Sequence, residues 1–123
     1  MKSIIKEKSF AFAIRIIRLY QFLCNKKKEY VLSKQILRSG TSIGANVNEA
    51  LQGFSKKDFI FKMNISLKEA HETEYWLKLL LETKYISKSE FESINSDCIE
   101  IIKMLTSIIK TSKQNEEKAN KTK

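Results

Sequence analysis

The chain has 123 residues, one domain's worth, long enough to bury a core without disulfide or metal staples. It has no proline and three glycines, and is rich in Ile, Leu, Lys, Glu and Ser, which disfavours a turn-rich β fold and suits long helices. The formal charge of +9, from 23 Lys and Arg against 14 Asp and Glu, fits contact with phosphates or another anionic surface, or else a lysine-rich solvated exterior. Only three of these cations are arginine, which favours backbone contact over base readout.

Cys24 and Cys98 are too few and too far apart for a metal motif. Met1 to Lys8 has no sustained apolar segment of the signal-peptide kind, and Arg15 and Arg18 interrupt the other candidate for membrane insertion. These features predict a cytoplasmic protein with reduced thiols and no membrane partner.

Periodicity predicts four helices, hence an all-α fold. The first, from about Ser9 to Asn25, carries Phe10, Ala13, Ile17, Tyr20 and Cys24 on one face and Phe12, Ile16, Leu19 and Leu23 on another. Two apolar faces predict burial on two sides, the second against another subunit. Lys26-Lys27-Lys28-Glu29-Tyr30 reads as a charged connection. Ser33 is the expected N-cap of the second helix, Gly53 its expected end, and Ile36, Gly40, Ile43, Val47, Ala50 and Phe54 its core stripe. Arg38, Ser42, Ala45 and Glu49 form the adjoining face, with Asn46 at the border.

Ser55-Lys56-Lys57-Asp58 caps the third helix, which runs to about Lys84 through Phe59, Met63, Ser66, Ala70, Thr73, Leu77 and Leu80. The fourth starts at a Ser87-Lys88-Ser89-Glu90 capping box, followed by Phe91, Ile94, Cys98, Ile101, Leu105 and Ile108. Short connections predict an antiparallel up-down-up-down four-helix bundle over residues 1–111, with a polar, disordered tail over 112–123.

Two mid-helix glycines cost about 2 kcal/mol relative to alanine, so Gly40 and Gly44 imply a close helix contact. The favoured partner is Ser66, Ala70 and Thr73 of the same chain, with a neighbouring subunit as the alternative. Arg38, Asn46 and Glu49 exclude reading Gly40-x-x-x-Gly44 as a lipid-embedded motif.

The run Leu37-Arg38-Ser39-Gly40-Thr41-Ser42-Ile43-Gly44-Ala45-Asn46-Val47-Asn48-Glu49-Ala50, with Ser55-Lys56-Lys57-Asp58-Phe59, Ser66-Leu67-Lys68-Glu69-Ala70 and Glu72-Thr73-Glu74-Tyr75-Trp76-Leu77, resembles the 23S rRNA intervening sequence proteins, once labelled S23 ribosomal proteins. The resemblance covers most of the chain. It implies an antiparallel bundle assembling into a homopentamer, and kinship with the accessory variability protein of diversity-generating retroelements, which binds nucleic acid and a reverse transcriptase through a basic surface. It also makes Arg38, Ser39, Gly40, Ser42, Gly44, Asn46, Glu49, Glu69, Glu72 and Trp76 a family signature of structural character.

No catalytic constellation emerges. A di-iron carboxylate bundle needs two Glu-x-x-His motifs, and this chain has one histidine. A HEPN-type ribonuclease needs an arginine four to six residues before its histidine, where Ile65, Ser66 and Leu67 stand. His71 reads as a surface residue between Glu69 and Glu72, since no nucleophile or second base accompanies it. Glu49, Glu69 and Glu72 read as partners of Asn46, Arg38, Lys62 and Lys68 rather than as a metal cluster. No cofactor is expected.

The favoured expectation is a non-enzymatic, oligomeric protein that binds RNA or DNA through Arg15, Arg18, Lys26, Lys27, Lys28, Lys56, Lys57 and the tail lysines. The alternative is a scaffold that docks a protein partner, and a more distant one is an undetected enzyme.

Overall fold

In a computed structural model, which describes residues 3–121, the apolar periodicities close into four α-helices, with no strand among the described residues: α1 (Ile4–Asn25), α2 (Leu32–Leu51), α3 (Lys56–Glu82) and α4 (Lys88–Lys121). Met1, Lys2, Thr122 and Lys123, the last two belonging to the expected tail, lie outside the described residues.

α1 begins five residues before the expected Ser9. Ser3 caps it, its hydroxyl accepting the Lys6 N–H at 3.4 Å, and the stripe Ile5, Ser9, Phe12, Ile16 and Leu23 faces the core. Lys6-Glu7-Lys8 hides this start in the sequence, because three charged residues separate the inward positions Ile5 and Ser9, and Ser9 is itself polar. On the other apolar face Phe10 is 65% exposed and Ile17 40% exposed.

α2 is not capped by Ser33, which lies inside the helix. The carboxylate of Glu29 does the work instead, accepting the N–H groups of Val31 at 3.2 Å, Leu32 at 3.0 Å and Ser33 at 2.7 Å. The Ser33 hydroxyl points back to donate to the Glu29 carbonyl at 2.9 Å. Gly53 is not a left-handed terminator either: α2 stops at Leu51, and no glycine has positive φ. Phe54, expected in the core stripe, is fully exposed beyond the helix, whereas Ile36, Gly40, Ile43, Val47 and Ala50 are buried.

α3 starts as expected, the Ser55 hydroxyl accepting the Asp58 N–H at 3.0 Å. At the start of α4 the capping box closes in both directions. The Glu90 N–H donates to the Ser87 hydroxyl at 3.1 Å and the Ser87 N–H to the Glu90 carboxylate at 2.8 Å. The inward stripe of α4 then runs Ile94, Cys98, Ile101, Leu105 and Ile109, so that Ile109 takes the core position expected of Ile108. α4 continues through the expected tail to Lys121, with Ser112 its last buried residue.

α1 packs on α2 and α4, and α3 packs on α2 and α4, with no diagonal contact among the described residues; the α1–α4 seam is the most open. Residues pair in opposed order along neighbouring helices. On α2 and α3 the hydroxyls of Ser39 and Thr73 lie 2.9 Å apart, Ser66 donates to the Ile43 carbonyl at 2.8 Å, and Glu49 meets Lys62 at 3.2 Å.

The glycines face α1, not the small residues of α3. A Cβ on Gly40 would lie 2.6 Å from Cγ1 and 2.7 Å from Cγ2 of Ile16, and one on Gly44 would lie 3.3 Å from the Ser9 carbonyl oxygen. Ser66 and Thr73 do meet α2, but at the neighbouring Ile43 and Ser39, so one helix is approached closely from two sides.

Candidate nucleic-acid interface

Most exposed cations of the chain lie on helix surfaces, but one end of the bundle gathers several. The α1–α2 connection brings Lys26, Lys27 and Lys28, the α3–α4 connection brings Lys84, and α4 opens with Lys88. Lys27, Lys84 and Lys88 line a single open cleft of about 450 Å³, whose apolar wall includes Phe22 and Tyr85. The Lys27 ammonium stands 5.8 Å from the centroid of the Phe22 ring, in cation–π range.

Two carboxylates stand at this end, Glu29 in the first connection and Glu90 in the wall of the cleft itself. Burial pushes the Glu29 carboxyl up, but the backbone N–H groups of Leu32, Ser33 and Val31 and the Ser33 hydroxyl outweigh it and hold the group below the usual carboxylate range. Glu90 is likewise held down, first by the Ser87 N–H and hydroxyl and also by the charge of Lys27. Both charges are thus directed at helix termini, where N–H dipoles favour them. Lys26, Lys27, Lys28 and Lys84 enter no ion pair among the described residues, and Lys88 has only a 3.9 Å contact with Glu92.

Backbone geometry at this end is unusual. Among the described residues, the non-glycine positions with positive φ are Lys28 (54°) and Lys84 (66°), one in each connection. Lys84 occupies the left-handed position of a Schellman turn, in which Tyr85 N–H bonds the Leu80 carbonyl at 2.9 Å and Lys84 N–H the Leu81 carbonyl at 3.0 Å. Glycine is usual there, because a left-handed conformation costs other residues roughly 1–2 kcal/mol.

The remaining candidate cations are dispersed. The Arg15 guanidinium is taken up by α4, donating to Asp97 at 2.7 Å and to the Ser93 carbonyl and hydroxyl at 3.2 and 2.9 Å. Arg18 lines a separate cleft of about 580 Å³ between α1 and α4 and has no ion pair among the described residues. Lys56 and Lys57 lie beyond the far end of α2, whose 20 residues span about 30 Å.

Residues 1–107 match the family model of the 23S rRNA-intervening sequence protein. The chain belongs to that family. A solved structure, that of a protein of unknown function from the S23 ribosomal protein family of Bacteroides thetaiotaomicron VPI-5482, is similar to it. The two are 63% identical with a TM-score of 0.86, over 87% of this chain and 99% of the other. No curated protein matches the chain.

The signature of this intervening-sequence family member runs from core to surface, with Ser39, Gly40 and Gly44 buried and Arg38, Glu49 and Glu72 exposed. Ser42 donates to the Arg38 carbonyl at 2.7 Å, and Asn46 donates to the Ser42 carbonyl at 2.8 Å. Trp76 is half-buried, edge-on to Tyr75 at 5.2 Å. Glu49 pairs with Lys62. The Glu69 carboxyl is raised by burial and by Glu72, against the opposing pull of Arg38 and Lys68.

No group of three His, Cys, Asp or Glu residues among those described is placed to hold a metal ion. His71 is exposed. Burial pushes the Cys98 thiol up to about 12, so it stays protonated, and it donates to the Ala70 carbonyl at 3.3 Å. No described helix is long and apolar enough to cross a membrane.

Lys84 and Lys88 line this candidate interface and were missed by sequence reasoning. Each falls within a local motif, a helix end and a capping box, that accounts for it without reference to a partner. Their signal lay in topology: short links between four helices bring the first and third connections to one end.

Proposed function

We propose that the chain is a non-enzymatic, cytoplasmic, oligomeric member of its family that binds the sugar–phosphate backbone of RNA or DNA. The observation that carries this reading is the basic end, where Lys27, Lys84 and Lys88 line one cleft, Lys26 and Lys28 flank Lys27 in its connection, and these five lysines outnumber the adjacent carboxylates Glu29 and Glu90. Lysines suit sequence-tolerant phosphate contact, and their binding would be driven by counterion release. Arg18, Lys56 and Lys57 add to the positive field that steers a polyanion toward the molecule.

The opposed order of inter-helix contacts supports an antiparallel up-down-up-down topology. The exposed face of α1 carrying Phe10, Ile14 and Ile17 supports self-assembly, with a homopentamer the state implied by the family resemblance. That same apolar face favours a second reading, a scaffold that docks a protein partner while its charge serves solubility.

Fluorescence anisotropy with labelled 20-mer RNA and DNA, single- and double-stranded, tests the main reading. Binding at about 50 mM salt should weaken steeply by 200 mM, the signature of displaced counterions. Absence of binding at low salt, or binding indifferent to salt, leaves the scaffold reading in its place.

A further inference from the structure

Lys28 and Lys84, one in each connection of the same end, are the non-glycine residues with left-handed backbone among those described. Backbone strain of this kind persists where the surrounding structure enforces it, and it concentrates at functional positions. At Lys28 and Lys84 the local geometry favours glycine, or asparagine, in both connections of the same end. Both positions instead carry an exposed ammonium. No ion pair within the described residues engages either ammonium, so both can meet an external anion.

An aromatic component lies beside them. Tyr30, two residues from Lys28, is 52% exposed, and Phe22 and Tyr85 wall the adjoining cleft with Lys27, Lys84 and Lys88. A duplex keeps its bases stacked internally and offers such a surface only phosphates. A single strand offers both phosphates for ammonium groups and unpaired bases for an aromatic face. No arginine lies in either connection to read base edges, so the recognition is sequence-tolerant.

We infer that this end of the bundle is a single-strand polynucleotide site, with Lys28 and Lys84 contacting phosphates of one strand and Tyr30 stacking on a base. The inference rests on the nucleic-acid reading above and narrows it to one end of the molecule and one class of strand.

The full chain and its variants are titrated with labelled rU20 and dT20 and with duplexes of the same length, and each variant is melted. The Lys28→Gly/Lys84→Gly variant should melt at or above the parent temperature and lose about tenfold in single-strand affinity. Its salt slope should fall by about 1.4, two contacts at roughly 0.7 each. Tyr30→Ala should weaken single-strand binding about tenfold and leave duplex binding unchanged. Lys103→Gln/Lys110→Gln removes the same charge from the exposed flank of α4 and should stay within about twofold of the parent.

Parent-like affinity in the glycine variant, a lowered melting temperature in it, or an equal loss in the α4 variant overturns the site. Duplex binding tighter than single-strand binding overturns the strand class. The nucleic-acid reading itself fails on a different result, the parent binding none of the probes at low salt. Whichever of rU20 and dT20 binds more tightly identifies RNA or DNA as the source of the strand.

Discussion

Gly40 has room for a hydrogen and nothing larger, because Ile16 occupies the space where a Cβ would stand. Gly40→Ala gains helix propensity of about 1 kcal/mol but forces a packed isoleucine to move, which typically costs 1–3 kcal/mol. Net destabilisation is expected in denaturant melts. In an Ile16→Ala background the obstacle is gone and the same Gly40→Ala change should be neutral or stabilising, so the double-mutant cycle reads the contact directly. Glu29 is the second residue whose local role decides an element. Its carboxylate satisfies three N–H groups at the start of α2, and Glu29→Gln should cost about 1 kcal/mol at pH 7. Because its folded pKa is depressed, this stabilisation is full above the ordinary carboxylate range and is lost as pH falls through the lower folded value. Acid melts of the parent and Glu29→Gln should therefore converge below about pH 4.

Among the elements, α4 separates helix propensity from packing. Its inward stripe ends at Ile109 and Ser112, yet the helix runs to Lys121 on a polar sequence of good helix formers. The last nine described residues have almost nothing to bury: all are exposed except Glu116, which is half-buried. Deleting residues 113–123 should thus shift the thermal midpoint by only a few degrees, and hydrogen exchange there should be fast compared with Ile94 to Leu105. The sequence located these elements well where a side chain caps its own helix, as at Ser55 and Ser87. It misassigned α2, because a glutamate reaching forward four residues has no short spacing rule, whereas Ser33 fits one. It also set the start of α1 too late, since three consecutive charged residues interrupt the pattern that Ile5 continues.

For the whole molecule, the exposed face of α1 is the feature that a single copy leaves unexplained. Phe10→Glu/Ile17→Glu places charge on side chains that do not build the core. If that face joins subunits, the mass from light scattering should fall to that of one 14.3 kDa chain while helical content and melting stay near the parent's. A parent that is already monomeric removes the assembly reading. The candidate site was partly legible in the same way: the Lys26-Lys27-Lys28 run stands out in any reading, but its neighbours Lys84 and Lys88 are more than fifty residues away. What the sequence alone determined is the helical class, the family and most of the core, because these follow from local periodicity, capping chemistry and a contiguous signature. Tertiary structure alone decided that the glycines receive α1 rather than α3, that Arg15 is held by α4, and that two lysines sit in left-handed turns at one end. Those are facts of approach and dihedral angle, set by how helices dock, and no spacing along the chain encodes them.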